Sequence, residues 1–82
     1  MDKTISFSVE EVKEEYILET LKDVKNILLE KGYNPINQIV GYLITGDPGY
    51  ITSYKNARGL IMTLDRCKAL EVVVQKAILW DI

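Results

Sequence analysis

Apolar residues recur along most of this chain at the spacing of one face of a helix. Tyr16, Ile17, Leu21, Val24 and Leu28 lie on or near one stripe, and Leu18, Ile27 and Leu29 widen it. Glu19, Lys22, Asp23, Lys25 and Glu30 fall on the other side. The pattern predicts a long helix ending near Lys31, a basic residue in the last turn, with Gly32 just beyond it. Its start is open between two positions. Ser8 and Glu11 have capping-box spacing, which places the first turn near Val9, while the acidic set Glu10, Glu11, Glu14 and Glu15 suits a start a few residues later. The stripe is wider than one short partner helix covers, which hints at a contact between subunits.

A second helix is bounded more sharply. Asn34 is placed to cap it, and Pro35 takes the first helical position, where a missing N–H costs nothing. Ile36, Ile39, Val40 and Leu43 form its apolar face. Gly46 suits a left-handed C-terminal residue, and Pro48 prevents continuation. After the tight Gly46–Gly49 turn, Tyr50 and Ile51 open a further helical turn. A third helix is predicted over Ser53–Leu64, with Tyr54, Ala57, Leu60, Ile61 and Leu64 facing inward. Asp65 caps a fourth over Arg66–Leu79, whose expected buried face is Leu70, Val73, Val74, Ala77 and Ile78. Val72, Val73 and Val74 lower helix propensity, but the helical period extends on both sides of them. Ahead of all this, Thr4 to Val9 alternates polar and apolar residues like a strand, and a lone strand does not stand in water. It lies along the body, pairs with a counterpart, or stays a mobile arm. The expectation is an all-α protein: a small bundle of about four helices in one domain over residues 9–82, with residues 1–8 as an extended or mobile N-terminal arm.

Composition narrows the function. A chain of 82 residues has a marginal core of its own, and its 48% apolar content exceeds what one small core needs. A homodimer and a well-packed monomer both remain open on that ground. The net charge of −2 gives no footprint for nucleic acid or anionic lipid. The single Cys67 cannot form an internal disulfide and fits a reducing cytoplasm; in a helix it reads as a semi-buried small residue. No secretory leader and no membrane-length apolar run are visible, so a soluble cytoplasmic protein is expected. There is no histidine, which removes the commonest general base and metal ligand. The carboxylates at 10, 11, 14, 15 and 19 read as a solvated helix face, and Gly41, Gly46 and Gly49 lack the Lys-Ser/Thr of a phosphate loop. No catalytic residue, metal or cofactor is expected.

The wording of the central segment adds a family. GYNPINQIVGYLITGDPGYI over residues 32–51, followed by Tyr54-Lys55-Asn56-Ala57-Arg58, closely resembles the IreB/ReoM family of small bacterial regulators. Members read GYNPINQIVGY, then a GDPAYIP-like stretch, then an N-A-R triplet, and the likeness covers about residues 4 to 64. The resemblance implies a non-enzymatic, all-helical homodimer. It further implies phosphorylation of an N-terminal threonine by a membrane Ser/Thr kinase with PASTA domains, reversed by a cognate phosphatase. That state would govern peptidoglycan synthesis, in some members through Clp-dependent turnover of the first committed enzyme.

Thr4 falls in register with the modified threonine of the family. Phosphate there would add about −1.5 to −2 charges; near Glu10 and Glu11 it would be repelled, and near Lys55, Arg58 or Arg66 it could form charge-assisted bonds. Tyrosine and arginine dominate protein–protein hot spots, so Tyr50, Tyr54 and Arg58, with Asn56, are the candidates for partner contact. Gly32, Asn34, Pro35, Gly46 and Pro48 read as the structural signature. Thr52 replaces the usual proline and should loosen its turn, Gly49 replaces a common alanine, and the match fades after Leu64. From a different class, two short helices joined through a glycine-containing turn also resemble a helix-turn-helix DNA-binding protein, against which stand the negative charge and the presence of only Arg58 and Arg66 for base readout.

Overall fold

A computed structural model describes residues 9–79, with side chains from Glu11 onward. The alternating segment around Thr4, the capping Ser8, and Trp80 and Ile82 lie outside the described residues. Within them the protein is all-α: α1 (Val9–Lys31), α2 (Pro35–Thr45), a 3-10 turn at Pro48–Tyr50, a second at Tyr54–Asn56, α3 (Ala57–Ile61) and α4 (Arg66–Leu79).

α1 is the spine, and α2, α3 and α4 all pack on it. Its buried line is Ile17, Thr20, Val24 and Leu28, flanked by the partly buried Leu18, Leu21 and Ile27. Tyr16 and Leu29, expected on the stripe or its margin, are exposed instead. The period of the stripe was right and its centre lay one step away, at Thr20, whose polarity hides it from a hydropathy pattern. α1 ends in a Schellman motif: the Tyr33 N–H donates to the Leu28 carbonyl (2.9 Å) and the Gly32 N–H to that of Leu29 (3.0 Å), with Gly32 at φ +87°.

α2 follows after three residues, Gly32 to the extended Asn34. The Asn34 side chain accepts the Asn37 N–H, and Pro35 opens the helix. At its far end Gly46, φ 75°, sends its N–H to the Tyr42 carbonyl. The Thr45 hydroxyl donates to the Gly41 carbonyl and accepts the Asp47 N–H. Asp47 in turn accepts the Gly49 N–H, closing the Pro48 turn. The buried face of α2 is Tyr42 and Leu43 with Ile39 beside them, whereas Ile36 and Val40 stand 69% and 46% exposed. The expected face was therefore rotated: α2 is apolar on more than one side, and period alone cannot say which side turns inward.

The third helix is shorter than predicted. Lys55 (φ 48°) and Asn56 (φ 62°) adopt the left-handed region in succession, which no α-helix accommodates, so Ser53–Asn56 forms a tight turn and α3 begins only at Ala57. Ala57, Ile61 and Leu64 are buried as expected, Leu60 partly so. Between α2 and α3 lie residues 46–56 with two 3-10 turns, unlike the tight connection of a helix-turn-helix. α4 has the expected cap, Asp65 Oδ1 accepting the Lys68 N–H at 3.1 Å. Its buried face is not the expected one. Ala69 and Val72 face the core, while Leu70, Val73, Val74 and Ile78 are exposed and Ala77 with them. The small Ala69 lets α4 approach closely, and a run of valines offers apolar atoms on every side. Cys67 is exposed rather than semi-buried.

Leu28 and Leu29 are neighbours in α1, the first wholly buried and the second 55% exposed. Leu28→Ala is expected to cost about 2–5 kcal/mol in urea unfolding, and Leu29→Ala under about 1 kcal/mol; equal losses would contradict the burial assignment.

Candidate functional site

The signature segment folds into a connected surface at the distal end of α1. The Tyr54 hydroxyl donates to Glu30 Oε2 (2.9 Å), and Lys55 Nζ donates to both oxygens of the same carboxylate, at 2.8 and 3.1 Å. Lys31 Nζ sits 4.7 Å from the centroid of the Tyr54 ring, on which Lys55 also borders at 5.6 Å. The left-handed turn at Lys55 and Asn56 aims these groups back at α1. A left-handed lysine carries strain on the order of 1–3 kcal/mol, held in place by the surrounding structure. The Thr52 hydroxyl accepts the Tyr54 N–H (3.2 Å) and its carbonyl accepts the Arg58 N–H (3.1 Å). Of these two bonds, the one made by the Thr52 hydroxyl is the one a proline at this position would lack. Asn56 folds against Gly59 so closely that a Cβ there would overlap its side-chain amide.

The four candidate contact residues do not share one environment. Tyr54 is half-buried in the Glu30 cluster. Arg58 is also half-buried, and its Nε donates to the Ile51 carbonyl at 2.8 Å, fastening the loop from within. Asn56 is exposed at the turn. Tyr50 lies apart, its half-exposed ring laid across Gly41 of α2, where any Cβ would collide with it. Arg66, at the start of α4, packs its guanidinium against Gly46 and donates to the Leu43 carbonyl (3.0 Å), satisfying a free carbonyl at the end of α2 with a cation. Thr4 lies outside the described residues.

Two features escaped the sequence reading. Glu30 and Lys55 stand 25 residues apart, so no local spacing joins them. Tyr16 pairs with Thr63 at 2.8 Å across the other end of the bundle. The single Thr63 proton is given to the Leu60 carbonyl (2.7 Å), so Tyr16 is the donor in that pair. An amphipathic stripe assigns Tyr16 to the core and so conceals a surface hydrogen bond. Among the described residues no cluster of His, Cys, Asp or Glu suits a metal ion, and no helix is long and apolar enough to cross a membrane.

The central loop is braced by its own side chains, and α2 and α4 carry exposed apolar residues on either side of it in the sequence. A model of the family described as IreB regulatory phosphoprotein matches residues 2–78. The chain belongs to the IreB family.

The Glu30 carboxyl is held below its ordinary value of 4.5, first by the hydrogen bond from Lys55 and then by that from Tyr54. The same contact raises Lys55 and Tyr54 above their usual values. A depressed carboxyl contributes stability that is present above its unfolded pKa and lost as pH falls through the folded one. Carbon-13 detection of Glu30 is expected to give a midpoint below 4.5, returning toward it in Lys55→Ala; an unchanged midpoint in the variant would rule out the pairing in solution.

Proposed function

We propose that this chain is a non-enzymatic regulator, phosphorylated on Thr4 by a membrane Ser/Thr kinase of the PASTA type. In this reading its phosphorylation state controls peptidoglycan synthesis in the cytoplasm through contacts with other proteins, Clp-dependent turnover being one route. The observation that carries the reading is the family match, which runs from residue 2 and so takes in Thr4.

The helix surfaces support the contact part of the reading. Ile36, Val40 and Ile44 sit at i, i+4 and i+8 on the outer side of α2, and Ile36 and Ile44 are 69% and 70% exposed. On α4, Ile78 and Leu79 are 69% and 75% exposed. Contiguous apolar surface of this kind marks association sites, and a homodimer formed through α2 accounts for it with the fewest components. Tyr50 at one edge of that face supplies an aromatic anchor of the type that concentrates binding energy.

Incubation with a PASTA-type kinase domain and ATP is expected to add one phosphate, on Thr4, as read by intact mass and fragmentation, and Thr4→Ala is expected to abolish it. Labelling scattered over serines, or none, would remove the kinase from the proposal. Sedimentation across a dilution series is expected to show a dimer that Ile36→Glu with Ile44→Glu converts to a monomer of unchanged helicity; a wild-type monomer at all concentrations would refute the dimer.

A further inference from the structure

Two grooves flank the N-terminal half of α1, and their charges differ. One, of about 650 Å³, is bordered by Glu11, Glu14, Glu15 and Glu19, with Lys76 opposite. The other, of about 600 Å³, runs between α1 and the turn joining α3 to α4. Its exposed apolar wall is Val12 and the Tyr16 ring, with the core residues Ile17 and Leu64 at its floor, and Lys13 and Lys68 stand at its rim. The Tyr16–Thr63 hydrogen bond lies along it. Asp65 also borders this groove, but its Oδ1 is occupied in capping α4. The first turn of α4 lies at the same place, its partial positive charge offset in part by that carboxylate. Lys68 is paired with Glu71 at 3.4 Å within one helix turn, a long contact with which an added dianion would compete.

We propose that the second groove seats residues 2–8 of the same chain once Thr4 carries phosphate, with Lys13 and Lys68 holding the phosphate and the apolar wall receiving Ile5 and Phe7. The inference rests on the assignment of Thr4 as the modified residue. Reach selects the site. Thr4 precedes Val9 by five residues, a span of at most about 18 Å, and Val12 and Lys13 lie one turn into α1. Lys55, at the Glu30 end of the same helix, is about 32 Å from Val9 at 1.5 Å per residue, and its ammonium is already bound there. Arg58 and Arg66 are likewise committed to the Ile51 and Leu43 carbonyls. Charge selects between the grooves, because a phosphate of −1.5 to −2 (about, near neutral pH) is repelled by the glutamate-lined one. The alternation of Thr4, Ser6 and Ser8 with Ile5 and Phe7 gives an extended segment one polar and one apolar edge, matching a cationic rim and an apolar wall. Seating would cover Val12 and Tyr16, taking both from the surface open to partners.

The test uses the full chain with phosphothreonine installed at position 4 during translation, without a kinase, beside the same protein carrying Lys13→Gln and Lys68→Gln. The charged groups nearest the phosphate are Lys13, Lys68, Asp65 and Glu71, with the Tyr16 hydroxyl as a polar neighbour. Phosphorus-31 titration is expected to place the second phosphate pKa roughly one unit below its ordinary value of about 6, and the double variant is expected to restore it. Amide signals over residues 12–17 and 63–68 are expected to shift on phosphorylation by amounts independent of protein concentration. A phosphate that titrates as it does in a free peptide of residues 1–9 would overturn the proposal, as would shifts elsewhere or shifts lost on dilution, which would mean docking on a second copy. Because no kinase is used, failure of a kinase to modify Thr4 counts against the proposed function alone, and an unperturbed phosphate counts against the groove alone.

Discussion

Everything in this fold depends on burying one narrow line of α1. Val24 and Leu28 are wholly removed from water, Ile17 and Thr20 nearly so, and the other three helices each cover part of that line. The partners are small or branched at the points of contact: Ala57 and Ile61 on α3, Ala69 and Val72 on α4. A core built this way is close-packed but thin, as expected of a chain too short to enclose much volume. Its helices are joined by explicit stops, Gly32 and Gly46 in left-handed conformations and Asn34, Asp47 and Asp65 as caps, so the packing angles are set by short connections with satisfied backbone groups.

The same thinness leaves large apolar side chains outside. Ile36, Ile44, Ile78 and Leu79 keep most of their surface in contact with solvent. In a catalyst of this size such surface would be a liability without a use. In a member of a regulatory family the same surface is available for the contacts proposed above.

Much of this was legible because it is local. The Asn34-Pro35 opening of α2, the Gly32 end of α1 and the Asp65 cap of α4 are each set by residues within one turn, and the structure has them where the chain spells them. Which face each helix buries was less legible. α4 carries apolar residues almost all round, and the inward face was chosen by Ala69, a residue that contributes little to a hydropathy pattern but permits close approach. Thr20 played the same part on α1. The left-handed pair at Lys55 and Asn56 broke a predicted helix because the loop is held by Glu30, 24 and 25 residues from Tyr54 and Lys55 and so outside any local window, and by the nearer Ile51 carbonyl that takes Arg58. The candidate contact residues could be named from the segment, but their division into an anchored Arg58, a clustered Tyr54 and a separate Tyr50 belongs to the tertiary structure.

The notch that Gly41 cuts in α2 has a consequence for uniqueness. A helix apolar on both flanks can be rolled about its own axis with little change in buried hydrocarbon, so the hydrophobic effect alone leaves its orientation nearly degenerate. The Tyr50 ring fits only where there is no side chain, and Arg66 reaches the Leu43 carbonyl only from one direction. Together they act as a key that fixes the axial rotation of α2 and opens an energy gap against the rolled alternatives. The face left outward is thereby one defined set of residues in every molecule.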